Sequence, residues 1–284
     1  MKSTQLMNIV LLILLTACLV APFTFLKPNH LVKSIDDNKA KKSIVKPVEK
    51  PLHNVKLPKF STISDIPTKK KKFFDFIKPA VIKKNNELRA TRVKLKAWLE
   101  HVSLGQTLSA DELESVKRLV KKYRVNEESE LLTQLNILLM RVDVIPTALV
   151  LVQAANESAW GTSRFSRIGL NFFGIWCYKQ GCGMVPGSRN SGANHEVAAF
   201  GSISEAVSRY FNNINTHNAY RVFRTIRHEL RSQNQALHPE ILATGLLPYS
   251  ERGADYVIEL TNMLRHNQQY LQENKIAHDA VLGE

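Results

Sequence analysis

The chain has 284 residues, of which 44% are hydrophobic and 23% are charged, and its formal net charge at pH 7 is +14. This length and composition allow one sizeable hydrophobic core with appendages. The positive charge does not indicate a nucleic-acid-binding protein, because no zinc-ligand spacing, RNA-binding signature or basic recognition helix accompanies it.

Residues 1–26 are predicted to be an export signal. Lys2 is followed by a largely apolar run, from Asn8 to Leu26, that is long enough to span a bilayer. Two interpretations stay open: an uncleaved anchor, or a lipoprotein signal in which Cys18 ends a lipobox-like Leu-Thr-Ala-Cys run and becomes the lipidated first residue. The anchor is favoured because apolar residues continue beyond Cys18, whereas lipoproteins usually turn polar there.

Residues 27–72 are predicted to form a basic, disordered and extended linker. The segment holds thirteen lysines and four acidic residues, so about +9 of the net charge lies here. No apolar period runs through it, and five prolines interrupt it: Pro28, Pro47, Pro51, Pro58 and Pro67. Such a tether suits an anionic surface, for example phospholipid headgroups or envelope phosphates. Because its lysines outnumber Lys2, the positive-inside rule taken alone would keep it in the cytoplasm.

Residues 73–144 are predicted to form a helical subdomain. Apolar residues recur at helical spacing in two stretches, Phe73–Val81 and Leu88–Leu99. Ser109 begins a capping box that opens another helix, and one more helix is predicted over residues 128–140.

Residues 145–284 are predicted to form the catalytic domain, and its first helix ends near Glu157. Pro146 suits the first turn of this helix and Gly161 is a natural stop. Glu157 then lies in the last turn, where the helix dipole and apolar neighbours such as Trp160, expected to pack against it, raise its pKa. A carboxylic acid that stays protonated near neutral pH is the proton donor that glycosidic bond cleavage requires. An ordinary surface glutamate at a helix end is the alternative interpretation.

Two cysteines, Cys177 and Cys182, flank a short loop and are predicted to form a disulfide in an oxidising compartment. A zinc site is the alternative, but only His195 lies nearby in the sequence, so no metal site is predicted. Cys18 is left without a partner, which agrees with membrane burial or lipidation.

Residues 181–193 are rich in Gly, Ser and Asn and are followed by Glu196 and the apolar run 197–200, which predicts a loop or β-hairpin. Four helices are predicted after it, at residues 204–215, 219–230, 239–246 and 252–270. The predicted fold class is therefore α+β and mostly helical.

Two motifs resemble the glucosaminidase domain of glycoside hydrolase family seventy-three. That family's pattern A-x-x-E-S-x-W-G-x-S occurs within Gln153–Ser163, and its N-x-F-G-I pattern occurs within Gly169–Trp176. The upstream run from Phe73 to Asp143 resembles the bacterial Bax-type branch of this superfamily, so the resemblance covers about residues 73 to 270.

The resemblance implies a lysozyme-like fold with a small β-hairpin beside the cleft, and a general acid at Glu157. Related glucosaminidases draw a second carboxylate from a hairpin across the cleft, and Glu196 lies at the matching place. It is expected to act as the base that activates water. Assistance by the substrate's own acetamido group is the alternative, so the stereochemical outcome stays open.

Aromatic residues are expected to bind the sugars, because rings stack on apolar sugar faces. Tyr249 and Tyr256 fall where the family has a late tyrosine pair, and simple core packing is their alternative role. Phe172, Phe173 and Trp176 are expected at the floor of the cleft, with core packing favoured as the single role of Phe173. Asn171 is expected to anchor the loop after the catalytic helix through backbone hydrogen bonds.

The predicted function is that of a monomeric endo-β-N-acetylglucosaminidase that cleaves the β-1,4 bond after N-acetylglucosamine in peptidoglycan glycan strands, without any cofactor. It is expected at the inner membrane facing the periplasm, or as a lipoprotein through Cys18. A lytic transglycosylase and a non-catalytic peptidoglycan-binding protein are the rival interpretations.

Overall fold

Ten α-helices and three short β-strands make up the part of the chain that the computed structural model describes, residues 50–187 and 195–271. The helices are α1 (Ile66–Ser103), α2 (Ala110–Lys122), α3 (Leu131–Arg141), α4 (Thr147–Glu157), α5 (Arg164–Gly169), α6 (Ile203–Thr216), α7 (Arg221–Ser232), α8 (Pro239–Ala243), α9 (Ala254–His266) and α10 (Gln268–Leu271). The strands are β1 (Trp176–Cys177), β2 (Gly183–Met184) and β3 (Glu196–Ala198). Three 3₁₀ helices lie at Phe60–Thr62, Asn218–Tyr220 and Thr244–Tyr249.

The predicted anchor at residues 1–26, with Cys18, lies outside the described residues, as does the linker up to residue 49. Among the helices of the described ranges, none is both long and apolar enough to cross a bilayer.

The second half of the predicted linker is folded. Asp65 caps α1 by accepting a hydrogen bond from the Thr68 amide at 2.8 Å, so the helix begins at Ile66 rather than near Phe73. Upstream, Phe60 is buried, and its ring packs edge-on against Phe73 at 5.4 Å between centroids. The predicted linker, which ends at residue 72, is therefore too long. The buried ring of Phe60 packs this polar stretch against the core.

The long helix α1 packs against α3, α4 and α6, so the predicted helical subdomain and the catalytic domain share one hydrophobic core. The capping box at the start of α2 is present: the Ser109 hydroxyl accepts from the Glu112 amide, and the Glu112 carboxylate accepts from the Ser109 amide. The boundary predicted at residue 144 thus separates chain segments but not two cores.

The strands form one antiparallel sheet in the order β1-β3-β2, with Val197 opposite both Trp176 and Met184. The sheet has three strands where a hairpin was predicted, because β3 pairs on both of its edges. The loop residues 188–194 lie outside the described residues. A disulfide joins Cys177 to Cys182, as predicted. The mostly helical α+β class is confirmed.

The predicted helix at 239–246 is divided in the structure. It ends as α8 at Ala243 and continues as a 3₁₀ helix that contains Pro248. Proline lacks the amide hydrogen that an α-helix needs at that position, so the α-helix does not continue here. Tyr249, the next residue, packs against the hydrophobic core.

Candidate active site

The helix α4 is buried along most of its length, and its C-terminal end presents Glu157, which is half-buried. The helix stops there because the Ser158 hydroxyl donates to the Ala154 carbonyl at 2.6 Å and accepts from the Gly161 amide at 2.9 Å. Three successive residues, Ala159, Trp160 and Gly161, then adopt positive φ angles of 49°, 58° and 75°. This tight turn fixes where the Glu157 side chain leaves the helix.

Replacing Gly161 by alanine is expected to destabilise the protein by about 2–4 kcal/mol. A Cβ there would lie 2.5 Å from Phe60 Cδ2, and the left-handed backbone disfavours any side chain. Gly105→Ala is the matched control, because Gly105 has the same φ of 75° but no atom within 4 Å of its Cβ position. Urea denaturation of both variants measures the difference, and equal losses of stability would contradict the packing argument.

The pKa of the Glu157 carboxyl is raised. Burial is the largest cause, and nearby Glu259 acts in the same direction, whereas a hydrogen bond from the Tyr256 hydroxyl and the charge of Arg252 act against it. The direction agrees with the sequence-based prediction. The Trp160 ring contacts Phe73 and Phe74 at centroid distances of 5.7 and 5.3 Å, and its packing against Glu157 stays a prediction.

The polar side chains of Tyr256, Gln153 and Tyr210 form a hydrogen-bonded row that ends at Glu157. The buried Tyr256 donates its hydroxyl to Glu157 and accepts a hydrogen bond from Gln153 Nε2 at 3.0 Å. Gln153 in turn accepts from the Tyr210 hydroxyl. The sequence analysis missed Gln153, although it is fully buried and lies one turn before Glu157, in the otherwise apolar stretch Ala148–Ala155. A lone amide in such a run was the available signal.

Tyr249 lies parallel to Tyr256, with 5.6 Å between ring centroids and 1° between ring planes. Its hydroxyl donates to the Phe173 carbonyl at 2.7 Å. Tyr249 therefore joins the loop after α5 to the tyrosine that contacts Glu157. Both predicted tyrosines thus lie beside the acid, Tyr256 in direct contact and Tyr249 one ring further away.

A cleft of about 700 Å³ opens next to this row. Gly174 lines it, and a Cβ on Gly174 would lie only 3.3 Å from Glu157 Oε2, so the carboxylate lies directly behind this glycine. The other lining residues are Arg124, Phe173, Ile175, Trp176, Cys177, Tyr178, Lys179, Cys182, Arg209, Asn212, Asn213, Thr216, His217, Ala219, Tyr220, Pro248 and Tyr249. A cleft of this size accommodates several sugar rings.

The three aromatic residues predicted for the cleft floor are in different places. Trp176 lines the cleft and is 46% exposed, as a sugar-stacking residue must be. Phe172 is fully buried, and its ring packs against Phe73 and Phe76 of α1, so it does not line the cleft. The neighbouring Phe173 does line it.

Asn171 anchors the loop before the sheet, as predicted. Its amide group donates to the carbonyls of Ile175 and Ala198 at 2.8 and 2.9 Å and accepts from the amides of Phe173 and Ile175. The side chain is buried, and these four bonds use its hydrogen-bonding capacity. Its position supports a role in holding the cleft loop, and direct sugar binding by Asn171 stays a prediction without a contact to support it.

Glu196, the predicted second carboxylate, is buried on β3. Its two oxygens accept from the amides of Gly181 and Gly183 at 3.0 and 2.9 Å. A Glu196 oxygen and the sulfurs of Cys177 and Cys182 lie within 4.8 Å of one another, but both sulfurs belong to the disulfide and cannot ligate a metal as thiolates. Glu196 thus holds the disulfide loop, and its role as a base stays a prediction.

An ion pair on the start of α9 was not anticipated from the sequence. Arg252 Nη1 lies 2.6 Å from Glu259 Oε2, and both charges act on Glu157. Asn156 Nδ2 lies 3.5 Å from the same Glu259 oxygen, which brings the pair to the end of α4. No local sequence pattern signals that this pair lies beside Glu157, because α4 and α9 are about a hundred residues apart.

A mostly helical α+β fold with a protonatable glutamate behind a long cleft defines the lysozyme-like class of glycan hydrolases. The chain belongs to the glucosaminidase family: the family model described as mannosyl-glycoprotein endo-beta-N-acetylglucosaminidase matches residues 133–279. It is also similar to Protein bax of Escherichia coli (strain K12), with 34% identity over 204 residues that cover 72% of this chain and 71% of that protein. No solved structure matches the chain. The family resemblance inferred from the two motifs is confirmed.

Proposed function

We propose that the protein hydrolyses the β-1,4 bond that follows N-acetylglucosamine in peptidoglycan glycan strands, with Glu157 as the general acid. The main support is the position of Glu157, a half-buried carboxyl with a raised pKa directly behind the cleft residue Gly174. A carboxyl of this kind can donate a proton near neutral pH. The exposed Trp176 and the amides of Asn212 and Asn213 provide stacking and hydrogen bonding for sugars along the cleft.

In this reaction the Glu157 proton goes to the leaving glycosidic oxygen, and the bond from that oxygen to the anomeric carbon breaks. Water supplies a hydroxyl group to the anomeric carbon, and a base takes the remaining proton. Glu196 is the proposed base, and the substrate's acetamido group is the alternative nucleophilic assistant. The row Tyr256, Gln153 and Tyr210 holds the Glu157 carboxyl in one orientation throughout.

We also propose that the protein is a monomer held at the cell envelope through residues 1–26, as an anchor facing the periplasm or as a lipoprotein through Cys18. The apolar run from Asn8 to Leu26 supports membrane attachment, and the disulfide supports an oxidising compartment.

Mass spectrometry of the products released from purified peptidoglycan tests this function. Wild type is expected to release fragments with reducing N-acetylglucosamine ends, and the Glu157→Gln variant is not. Anhydro-N-acetylmuramic ends would reassign the protein as a lytic transglycosylase. No cleavage by the wild type would contradict peptidoglycan hydrolysis and support a binding role.

The Tyr256→Phe variant is expected to move the alkaline limb of the pH–rate profile to higher pH. The Tyr256 hydroxyl stabilises the ionised form of Glu157 and so lowers its pKa. Without that hydrogen bond the pKa of Glu157 rises, and the acid stays protonated to a higher pH. The measurement is kcat/KM against pH on peptidoglycan.

Tyr249→Phe is the matched control for this prediction, because the Tyr249 hydroxyl donates to the Phe173 carbonyl rather than to Glu157. Its alkaline limb is expected to stay where the wild-type limb lies. A limb that moves equally in both variants, or in neither, would argue against a specific hydrogen bond between Tyr256 and Glu157.

A further inference from the structure

Three cationic side chains line the same cleft: Arg124, Lys179 and Arg209. All three residues are exposed, and no carboxylate occurs among the described residues that line this cleft. Within residues 50–187 and 195–271, none of the three is found in an ion pair. The lining therefore has an unbalanced positive charge.

Each cation is placed in the cleft by separate structural contacts. Arg124 follows α2 with a positive φ of 56°, and its turn is held by Arg141, whose Nη1 donates to the carbonyls of Tyr123 and Arg124 at 2.6 and 2.8 Å. Lys179 belongs to the loop that the disulfide closes. Arg209 lies on α6 directly before the buried Tyr210.

The turns that carry Arg124 and Lys179 are held by contacts with residues from other parts of the chain. Asn212 of α6, itself a cleft residue, donates to the Lys122 carbonyl at 3.5 Å and so joins the end of α2 to the cleft wall. The Glu196 carboxylate holds the amides of Gly181 and Gly183 beside Lys179. Arg124 and Lys179 thus lie on anchored turns that face one cleft, which distinguishes them from the many lysines of the outer helix faces.

We propose that these three cations attract and bind the carboxylates carried by the glycan, so that the cleft selects an anionic strand over a neutral N-acetylhexosamine polymer. The inference rests on the proposed function and specifies its substrate. Arginine and lysine pair with carboxylates by charge-assisted hydrogen bonds, and a concave site concentrates their field. In peptidoglycan the carboxylate comes from the peptide or, where the peptide has been removed, from the lactyl group.

The test measures binding by calorimetry to the full chain in detergent, in a Glu157→Gln background that does not cleave its ligand. The variant Arg124→Gln, Lys179→Gln, Arg209→Gln is compared with its parent on three ligands. These are glycan strands with peptides, strands freed of peptides, and a neutral chitooligosaccharide. The triple variant is expected to bind the anionic strands with a Kd about tenfold higher, because the free energies of three exposed charge pairs are lost together. Its Kd for the neutral ligand is expected to change less than about twofold.

The matched control removes the same charge from the outer faces of α1 and α2, through Lys94→Gln, Lys96→Gln and Lys117→Gln. These three lysines are exposed and lie outside the cleft lining, so each Kd is expected to change less than twofold. Raising the salt concentration is expected to weaken anionic binding by the parent and much less by the cleft variant.

A loss confined to peptide-bearing strands assigns the carboxylate to the peptide, and a loss that persists on peptide-free strands assigns it to the lactyl group. Equal losses on neutral and anionic ligands, or no loss on any ligand, would overturn the proposal. Because Kd is measured without cleavage, failure of the hydrolase assignment would appear separately, as wild-type protein that binds strands but releases no fragments.

Discussion

Replacing Glu157 by glutamine is expected to lower kcat for glycan hydrolysis by about 10²–10⁴-fold, the range typical of a lost general acid. The amide has nearly the same shape but cannot deliver a proton to the leaving oxygen. Because glutamine keeps the size and shape of the side chain, KM is expected to change much less than kcat. Initial rates on purified glycan strands measure both constants.

The same variant is expected to be at least as stable as wild type at neutral pH. The folded state raises the pKa of Glu157, so it binds the proton more tightly than the unfolded chain does. This contribution to stability is fully present below the unfolded pKa and is lost as the pH rises through the folded pKa. Glutamine does not titrate, so the Glu157→Gln variant does not lose this stability. Its free energy of unfolding relative to wild type therefore increases as the pH rises through that range.

Glu100→Gln is the matched control for activity, because Glu100 is an exposed glutamate on α1 and no cleft residue. Its kcat is expected to equal the wild-type value. Retention of more than about a tenth of the wild-type kcat by Glu157→Gln would exclude Glu157 as the general acid. Loss of activity together with loss of the folded state would instead point to a structural role.

Replacing Asp143 by asparagine is expected to destabilise the fold by about 3–5 kcal/mol, the usual effect of breaking a buried ion pair. The Asp143 carboxylate is 2% exposed and lies 3.4 Å from Arg92 of α1 and 3.8 and 3.2 Å from Arg227 and Arg231 of α7. Arg227 is itself buried, so the substitution leaves a cation in the core without its counter-ion. A loss of this size is a large fraction of the stability of a typical domain.

The pH dependence of this effect follows from the pKa of Asp143. Burial alone would raise it, but the charges of Arg227, Arg92 and Arg231 hold it below its ordinary value. A carboxyl with a depressed pKa stabilises the fold above its unfolded pKa of about 3.9, and this contribution is lost as the pH falls through the folded pKa. The gap between wild type and Asp143→Asn is therefore widest near neutral pH and closes in acid.

Asp75→Asn is the matched control for this prediction. Asp75 also pairs with a cation, Lys71 at 2.6 Å, but both side chains are more than half exposed. The control is expected to lose less than about 1 kcal/mol. Urea denaturation at pH 7 and below pH 3 compares the three proteins. Similar losses in the two variants at pH 7 would show that the Asp143 cluster adds no more than a surface pair.

Several features could be predicted from the sequence because they depend on neighbours in the chain. The capping box of α2 joins residues three apart, Ser109 and Glu112, and the disulfide joins residues five apart. The end of α4 at Glu157 follows from a short motif that ends in a positive-φ turn. The family also follows from local motifs, since both lie within Gln153–Trp176.

Features that depend on distant contacts were predicted poorly or not at all. The sequence placed Phe172 in the cleft and Phe60 in a linker, whereas the structure buries both in one aromatic cluster with Phe73. Periodicity reports that a residue is apolar and on one helix face, but it does not identify the partner that covers that face.

By itself, therefore, the sequence determined the helical class and the family, and it singled out Glu157 as the proposed acid. Only the tertiary structure determined what surrounds that acid: Tyr256 and Gln153 are 103 residues apart yet share a hydrogen bond, and Tyr249 reaches the Phe173 carbonyl across 76 residues. The physical reason is that a carboxyl's pKa and a cleft's charge are set by all groups within a few ångströms, and chain folding, not sequence proximity, decides which groups those are.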